Sequence, residues 1–304
     1  MSVVQERVPV ARGGTCGKLM LLLSCIRIDE VMLLQGTPML GAFFAMGDFT
    51  IAAGLRLCVF AVASCLLVAH VFVLNDWSGA NTDLKDPHRA AQVYVARGIS
   101  SRAVAALCIV LLMLSLVLLA PFGYLPVALA LAVAAASALY SAPRLALKGV
   151  PFASSALHVI GGLAHFLLGY AMFHALDARS VGVGSFFALT FAAGHLTHES
   201  RDCAGDALNG IRTNAVRFGV RVTFVASFAL FTLADALLAA LALADVVPRV
   251  LALVAATYPL HLWWTLQTWK AGLVYANLRR LQQRYRTLYA LIGIAMMLAT
   301  RVAV

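Results

Sequence analysis

Nine apolar runs, near 31–47, 51–74, 103–119, 122–139, 152–173, 182–197, 222–243, 246–266 and 286–304, dominate the sequence. Each approaches the length a helix needs to cross about 30 Å of hydrocarbon. In lipid every backbone N–H and C=O must find a partner within the chain, which leaves only helices and closed barrels as spanning structures. The runs lack the short alternation of barrel strands and therefore read as helices. With 62% hydrophobic and 12% charged residues and a mean hydropathy of +0.90, the chain lies far outside the range of a soluble domain. The reading is an all-α, multi-pass membrane protein, with residues 1–30 as a cytoplasmic lead-in and 31–304 as a bundle of nine transmembrane helices. The first 25 residues contain the apolar patch LMLLLSCI without a small-residue cleavage site, and they belong to that lead-in.

The net charge of +10 raises nucleic acid as a partner, but the placement of the basic residues argues for topology instead. With the N-terminus cytoplasmic, only Arg56, Arg179, Arg249 and Arg301 fall on the far side, and the other 19 of the 23 lysines and arginines fall on the near side. That is the bias of the positive-inside rule. An odd number of spans then puts the C-terminus outside, and a bacterial inner membrane is the expected location. The six cysteines form no CxxC pair and read as small apolar residues. The stretch from Trp269, WKAGLVYANLRRLQQRYR, reads as a basic amphipathic segment lying on the anionic cytoplasmic leaflet.

Thirteen acidic residues are few enough to place one by one. Six of them fall in two short stretches: Asp76, Asp83 and Asp86 in and after NDWSGANTD, then Glu199, Asp202 and Asp206 in HESRDCAGD. Both stretches follow an apolar run of the same orientation, and a basic residue stands six positions after the last acid of each motif, Arg89 after Asp83 and Arg212 after Asp206. The acids are spaced to share one helical face. Carboxylates crowded at the mouth of a low-dielectric cavity repel one another unless cations are present. Mg²⁺ is commonly held by one or two carboxylates together with substrate phosphates, so two such clusters suit two Mg²⁺ ions around a diphosphate. Asn75 adds a neutral oxygen, and Arg89, Lys148 and Arg212 can reach phosphate oxygens.

These residues resemble the UbiA superfamily of membrane prenyltransferases. NDWSGANTD is similar to that family's first motif, NDxxDxxxD, and HESRDCAGD to its second, D/ExxDxxxD. KDPHRA with ARGISS, YSAPRLALKG, GDALNGIRTNAVRFG and IRIDEVMLLQGTPMLGAF agree with other family segments in order and position. The resemblance implies nine transmembrane helices around a cavity capped by the motif loops. It implies two Mg²⁺ ions holding an isoprenyl diphosphate, whose allylic C–O bond ionises before a small lipophilic acceptor, aromatic in the reading preferred here, attacks. One position departs from the pattern: Gly79 stands where the first motif has its middle acid.

On this resemblance Asp76 and Asp83 serve one metal and Asp202 and Asp206 the other, with Asn75 and Glu199 as accessory ligands. Arg89, Lys148 and Arg212 hold the diphosphate, and Tyr140 donates a hydrogen bond to it. Phe43, Phe44, Phe72, Phe166 and Tyr170 are the aromatic candidates for an apolar wall, although at helical spacing such residues more often serve plain packing. HLTHE lacks the HExxH order of a zinc site, and its histidines read as hydrogen-bonded core residues. Gly161, Gly162 and Gly169 read as close helix contacts. The alternative activity is a UbiA-type terpene cyclase, which ionises the same donor without an acceptor. A transporter would hold its acids at the bilayer midplane, and the DGxxAR signature of phosphatidyl-group transferases is absent.

Overall fold

A computed structural model describes residues 15–84 and 90–302, and among them there are helices and turns but no strand. Two short helices, α1 (Thr15–Leu23) and α2 (Ile28–Leu33), precede α3 (Gly36–Ala45). The long helices follow: α4 (Ile51–Asp83), α5 (Ser101–Leu119), α6 (Tyr124–Ser141), α7 (Ala153–Ala171) and α8 (Ala178–Leu208). After a short α9 (Asn214–Phe218) come α10 (Val220–Leu243), α11 (Tyr258–Ala271) and α12 (Tyr275–Val302). Nine rods match the nine apolar runs. Six of them, built on α4, α5, α6, α7, α8 and α10, are by themselves long and apolar enough to cross a membrane.

The other three differ for local reasons. The first run is interrupted at Leu34 and Gln35, which leaves α3 only ten residues long. The eighth opens as a nine-residue 3-10 stretch, Arg249–Thr257, before continuing as α11. The ninth starts at Tyr275, well before the apolar run. Gly272, at φ 95, ends α11, and Asn277 Nδ2 caps the turn by donating to the carbonyls of Ala271 and Gly272 at 3.1 and 2.9 Å. The basic segment expected on the leaflet surface is therefore the first half of α12, where Leu278, Leu281 and Tyr285 are buried in the bundle.

The two motif helices are longer than their apolar runs. At 1.5 Å per residue, α4 with 33 residues is about 50 Å long and α8 with 31 about 46 Å. Both exceed the hydrocarbon thickness, so their last turns, which carry the acid motifs, project beyond it. α8 starts from a capping box in which Asp177 accepts from Ser180 N–H at 2.7 Å and Ser180 Oγ accepts from Asp177 N–H at 2.9 Å. The Ser180 N–H donated to the Asp177 carboxylate lowers its pKa below the ordinary carboxylate value.

α8 is the centre of the bundle, lying along α7 and α10 and meeting α12, while α4 pairs with α5 and α3 with α7. The α3–α7 crossing depends on glycine. A Cβ on Gly41 would stand 2.1 Å from Phe166 O, and one on Gly169 would stand 1.9 Å from Pro38 O. Each obstacle is backbone and cannot swing away. Gly169→Ala is therefore expected to cost about 3 kcal/mol or more, readable as a lowered midpoint of thermal unfolding in detergent; an unchanged midpoint would refute the close crossing. Gly162 also permits a close approach, 3.1 Å from its Cβ position to Ala188 Cα. Gly161 does not: no atom lies within 4 Å of its Cβ position, and it lines a cavity instead.

Candidate active site

The ends of α4 and α8 meet at the mouth of one cavity of about 2420 Å³. This is well above the roughly 300–1,000 Å³ of an ordinary small-molecule site. Asn75, Asp76 and Asp83 line it from α4, Asp202 and Asp206 from α8, and Tyr140 and Lys148 from α6 and the turn after it. Six residues assigned to the diphosphate end in the sequence thus share one wall-to-wall opening with Lys148. Arg212 stays near this group through its backbone, its N lying 3.7 Å from the Cβ position of Gly149, but its side chain is exposed. Arg89 and Asp86 lie outside the described residues.

Gly79 is buried between groups of opposite charge. A Cβ there would stand 3.4 Å from Asp83 Oδ2 and 3.8 Å from Lys148 Nζ. Without a side chain at this position, Asp83 and the Lys148 ammonium occupy the two flanks of one small gap. Asn75 Oδ1 accepts from Ser141 Oγ at 3.2 Å, which ties the first motif to the end of α6.

Each motif has one aspartate gripped by a guanidinium. Arg27, from the turn before α2, donates through Nε to Asp76 Oδ2 at 2.9 Å and through Nη2 to Oδ1. Arg201 donates through Nε to Asp202 Oδ1 at 2.6 Å and through Nη2 to Oδ2 at 2.9 Å. Arg201 also reaches Gln282 Oε1 on α12 at 2.5 Å and lies over the Tyr275 ring. His198 Nε2 adds a contact to Asp202 Oδ2 at 2.8 Å. Neither arginine stands out in the sequence, because a basic residue near a cytoplasmic helix end already satisfies the topology rule.

Glu199 differs from the other motif acids in how firmly it is tied into the fold. It is 4% exposed. Its Oε1 accepts from Ser154 Oγ at 3.0 Å, and its Oε2 accepts from the backbone N and the Nδ2 of Asn214 at 3.0 and 2.9 Å. His195 Nε2 stands 2.9 Å from Oε1, outside hydrogen-bond geometry. Through these bonds to α7 and α9 the carboxylate anchors the loop after α8, while Glu199 also lines the cavity.

Among the described residues no three His, Cys, Asp or Glu side chains converge as a ready-made metal cage. The donors available at the mouth, Asp76, Asp83, Asp202 and Asp206, are all hard oxygens set in two pairs. Such a set fits an ion that keeps waters and takes substrate phosphate oxygens, and does not fit a closed structural zinc site.

Below the mouth the walls turn apolar. Phe43, Phe72, Phe186, Phe187 and Phe191 line the cavity. Of the aromatic residues expected there, Phe44, Phe166 and Tyr170 belong to the core instead, packed with Val183, Leu238 and Ile292.

A protein-family model described as the UbiA prenyltransferase family matches residues 36–279. No curated protein matches the chain. Among solved structures, a UbiA homologue from Archaeoglobus fulgidus bound to DMAPP and Mg²⁺ superposes with a TM-score of 0.70 at 16% identity, covering 91% of this chain and 98% of that one. A digeranylgeranylglyceryl phosphate synthase gives 0.70 at 16% identity, covering 93% and 99%. A UbiA homologue from Aeropyrum pernix K1 gives 0.69 at 19%, covering 91% and 98%. Identities this low show a shared fold, while the family model spans most of the chain including both acid motifs: this integral membrane protein belongs to the UbiA prenyltransferase family.

Proposed function

We propose that the protein transfers an isoprenyl group from a prenyl diphosphate to a small aromatic acceptor, with two Mg²⁺ ions at the cavity mouth. The observation that carries this reading is the convergence of Asp76, Asp83, Asp202, Asp206 and Lys148 on one cavity whose interior is apolar. Solved relatives of the same fold bound to DMAPP or GPP with Mg²⁺ support the donor class. In this proposal Asp76 and Asp83, with Asn75, hold one ion, and Asp202 with Asp206 hold the other. Lys148, Tyr140, Arg212 and Arg89 serve the diphosphate.

Bound Mg²⁺ supplies positive charge to the leaving diphosphate. The chain's own residues do the rest. Lys148 offers a fixed ammonium where negative charge grows, an arrangement that favours the ionised state over the ground state. The phenylalanine walls exclude water from the allylic carbon and present π-faces to the developing cation. In this proposal the N-terminus lies in the cytoplasm, which the bias of the basic residues supports, and the membrane is a bacterial inner membrane.

Mg²⁺-dependent diphosphate release from geranyl, farnesyl and geranylgeranyl diphosphate, with and without a panel of phenols, tests the reading. Release coupled to an alkylated phenol is expected. Acceptor-free release with a cyclic product would favour the cyclase, a reading that rests on the missing acid at Gly79, and no release from any donor would overturn both.

Gly161 gives a second handle, because it faces the cavity with open space beside it. Gly161→Phe is expected to cut kcat/KM for the longest accepted donor by about 10–100-fold relative to the shortest. Equal losses for all donors would mean that the chain does not run past α7.

A further inference from the structure

The chemistry proposed above leaves a proton to be removed, and none of the groups at the mouth is suited to take it. Asp76 and Asp202 are held by guanidinium groups, Asp83 and Asp206 are assigned above to the metal ions, and Lys148 is cationic. One and a half turns into α7 stands a residue with no counterpart in the motif reading. His158 lines the cavity on the same stripe of α7 as Leu157, Gly161 and His165.

The tautomer of its neutral ring is fixed by one hydrogen bond. His158 Nδ1 lies 2.7 Å from the carbonyl oxygen of Ser154. A carbonyl can only accept, so Nδ1 carries a hydrogen, and in the neutral ring the lone pair is on Nε2. No hydrogen bond to Nε2 is formed among the described residues. The ring is held in place on three sides: it stacks on His195 at 3.6 Å between centroids and 12° between planes, and the rings of Tyr140 and Phe191 stand 5.0 and 5.2 Å away.

The titratable groups facing it are Tyr140 from α6 and His195 and His198 from α8, and from α7 itself only the Ser154 carbonyl bonds to it. Beyond His195 lies the Glu199 carboxylate, whose negative charge would offset a positive charge arising on the histidine pair. The depth is also right. His195, level with His158, is seven residues from Asp202 along α8, about 10 Å, so the pair sits just inside the metal-binding end, where the carbon next to a diphosphate would lie.

We propose that His158 is the catalytic base of the transfer, with His195 and Glu199 as positioning residues. The inference rests on the transfer reading above. The C–O bond to diphosphate breaks first, its electron pair leaving on the diphosphate, and the acceptor's nucleophilic atom then bonds to the allylic cation. The proton carried by the acceptor atom passes to His158 Nε2, which becomes an imidazolium and later releases it to water at the mouth.

The test compares wild type with His158→Phe, His158→Gln and His158→Ala in detergent, measuring diphosphate released and phenol alkylated in the same reaction. The expected result is a loss of alkylation of about 10²-fold or more with diphosphate release far less affected, so the ratio of alkylated product to diphosphate falls. Added imidazole is expected to restore part of the His158→Ala alkylation.

Wild-type ratios in both the Phe and Gln variants would overturn the assignment and leave the transfer reading standing. Equal loss of release and alkylation in all three variants, without imidazole rescue, would also overturn it, since His158 would then act in ionisation or packing. A wild type that releases diphosphate but alkylates none of the phenols would overturn the transfer reading, and this inference with it.

Discussion

Asp202→Ala is expected to lower Mg²⁺-dependent diphosphate release by about 10²–10³-fold, the usual loss when one preorganised electrostatic group is removed from a reacting centre. Asp202 combines more of the site than any other motif acid. It faces the cavity, its two oxygens receive the Arg201 fork, and His198 contacts it from one helical turn earlier. Removing it deletes a proposed metal ligand and leaves Arg201 to its contacts with Gln282, His198 and the Tyr275 ring. Because the residue stands at the mouth and not in the core, the variant should remain folded. Release within threefold of wild type from a folded Asp202→Ala protein would rule out the assigned role.

Glu199→Ala should fail in the opposite manner, through stability. The substitution strands three donors, the Asn214 backbone N–H, the Asn214 amide and the Ser154 hydroxyl, in a site closed to water. Breaking a buried charged network of this kind costs about 3–5 kcal/mol. Unfolding in detergent with increasing denaturant should show the loss directly. If Glu199→Ala unfolded like wild type but lost its Mg²⁺ dependence, Glu199 would be a ligand after all, as its place in the motif suggests.

These two neighbours show what a sequence can and cannot reveal here. Hydrophobicity and the scarcity of acids were enough to identify a helical membrane bundle and to find both motifs, because lipid forbids most alternatives and few carboxylates are available to misplace. The helix ends were not legible. The apolar runs stop near residues 74 and 197, yet α4 and α8 continue to Asp83 and Leu208, since polar residues there face the cavity mouth rather than lipid.

Separating Glu199 from Asp202 required knowing that Asn214, fifteen residues on, folds back over one of them. Arg27 acts across 49 positions on Asp76, and nothing local in IRIDE marks it. The histidines of HLTHE were read as core residues, which suits buried His195. The stacking of its partner His158 in the cavity wall arises only when α7 and α8 lie side by side. Gly161 and Gly169 are chemically identical in sequence and opposite in use, one facing open space and the other pressed against Pro38.

The arginine forks on Asp76 and Asp202 bear on the order in which reactants can enter. Each guanidinium already neutralises its aspartate, so a bare cation arriving at either motif would have to displace a positive group from its carboxylate. A cation that arrives together with a diphosphate brings the anionic oxygens onto which Arg27 and Arg201 can transfer, and bidentate guanidinium groups suit phosphate as well as carboxylate. On the proposed metal roles, the entrance favours metal and donor as a joint cargo over free metal, so that admission is selective before any chemistry begins.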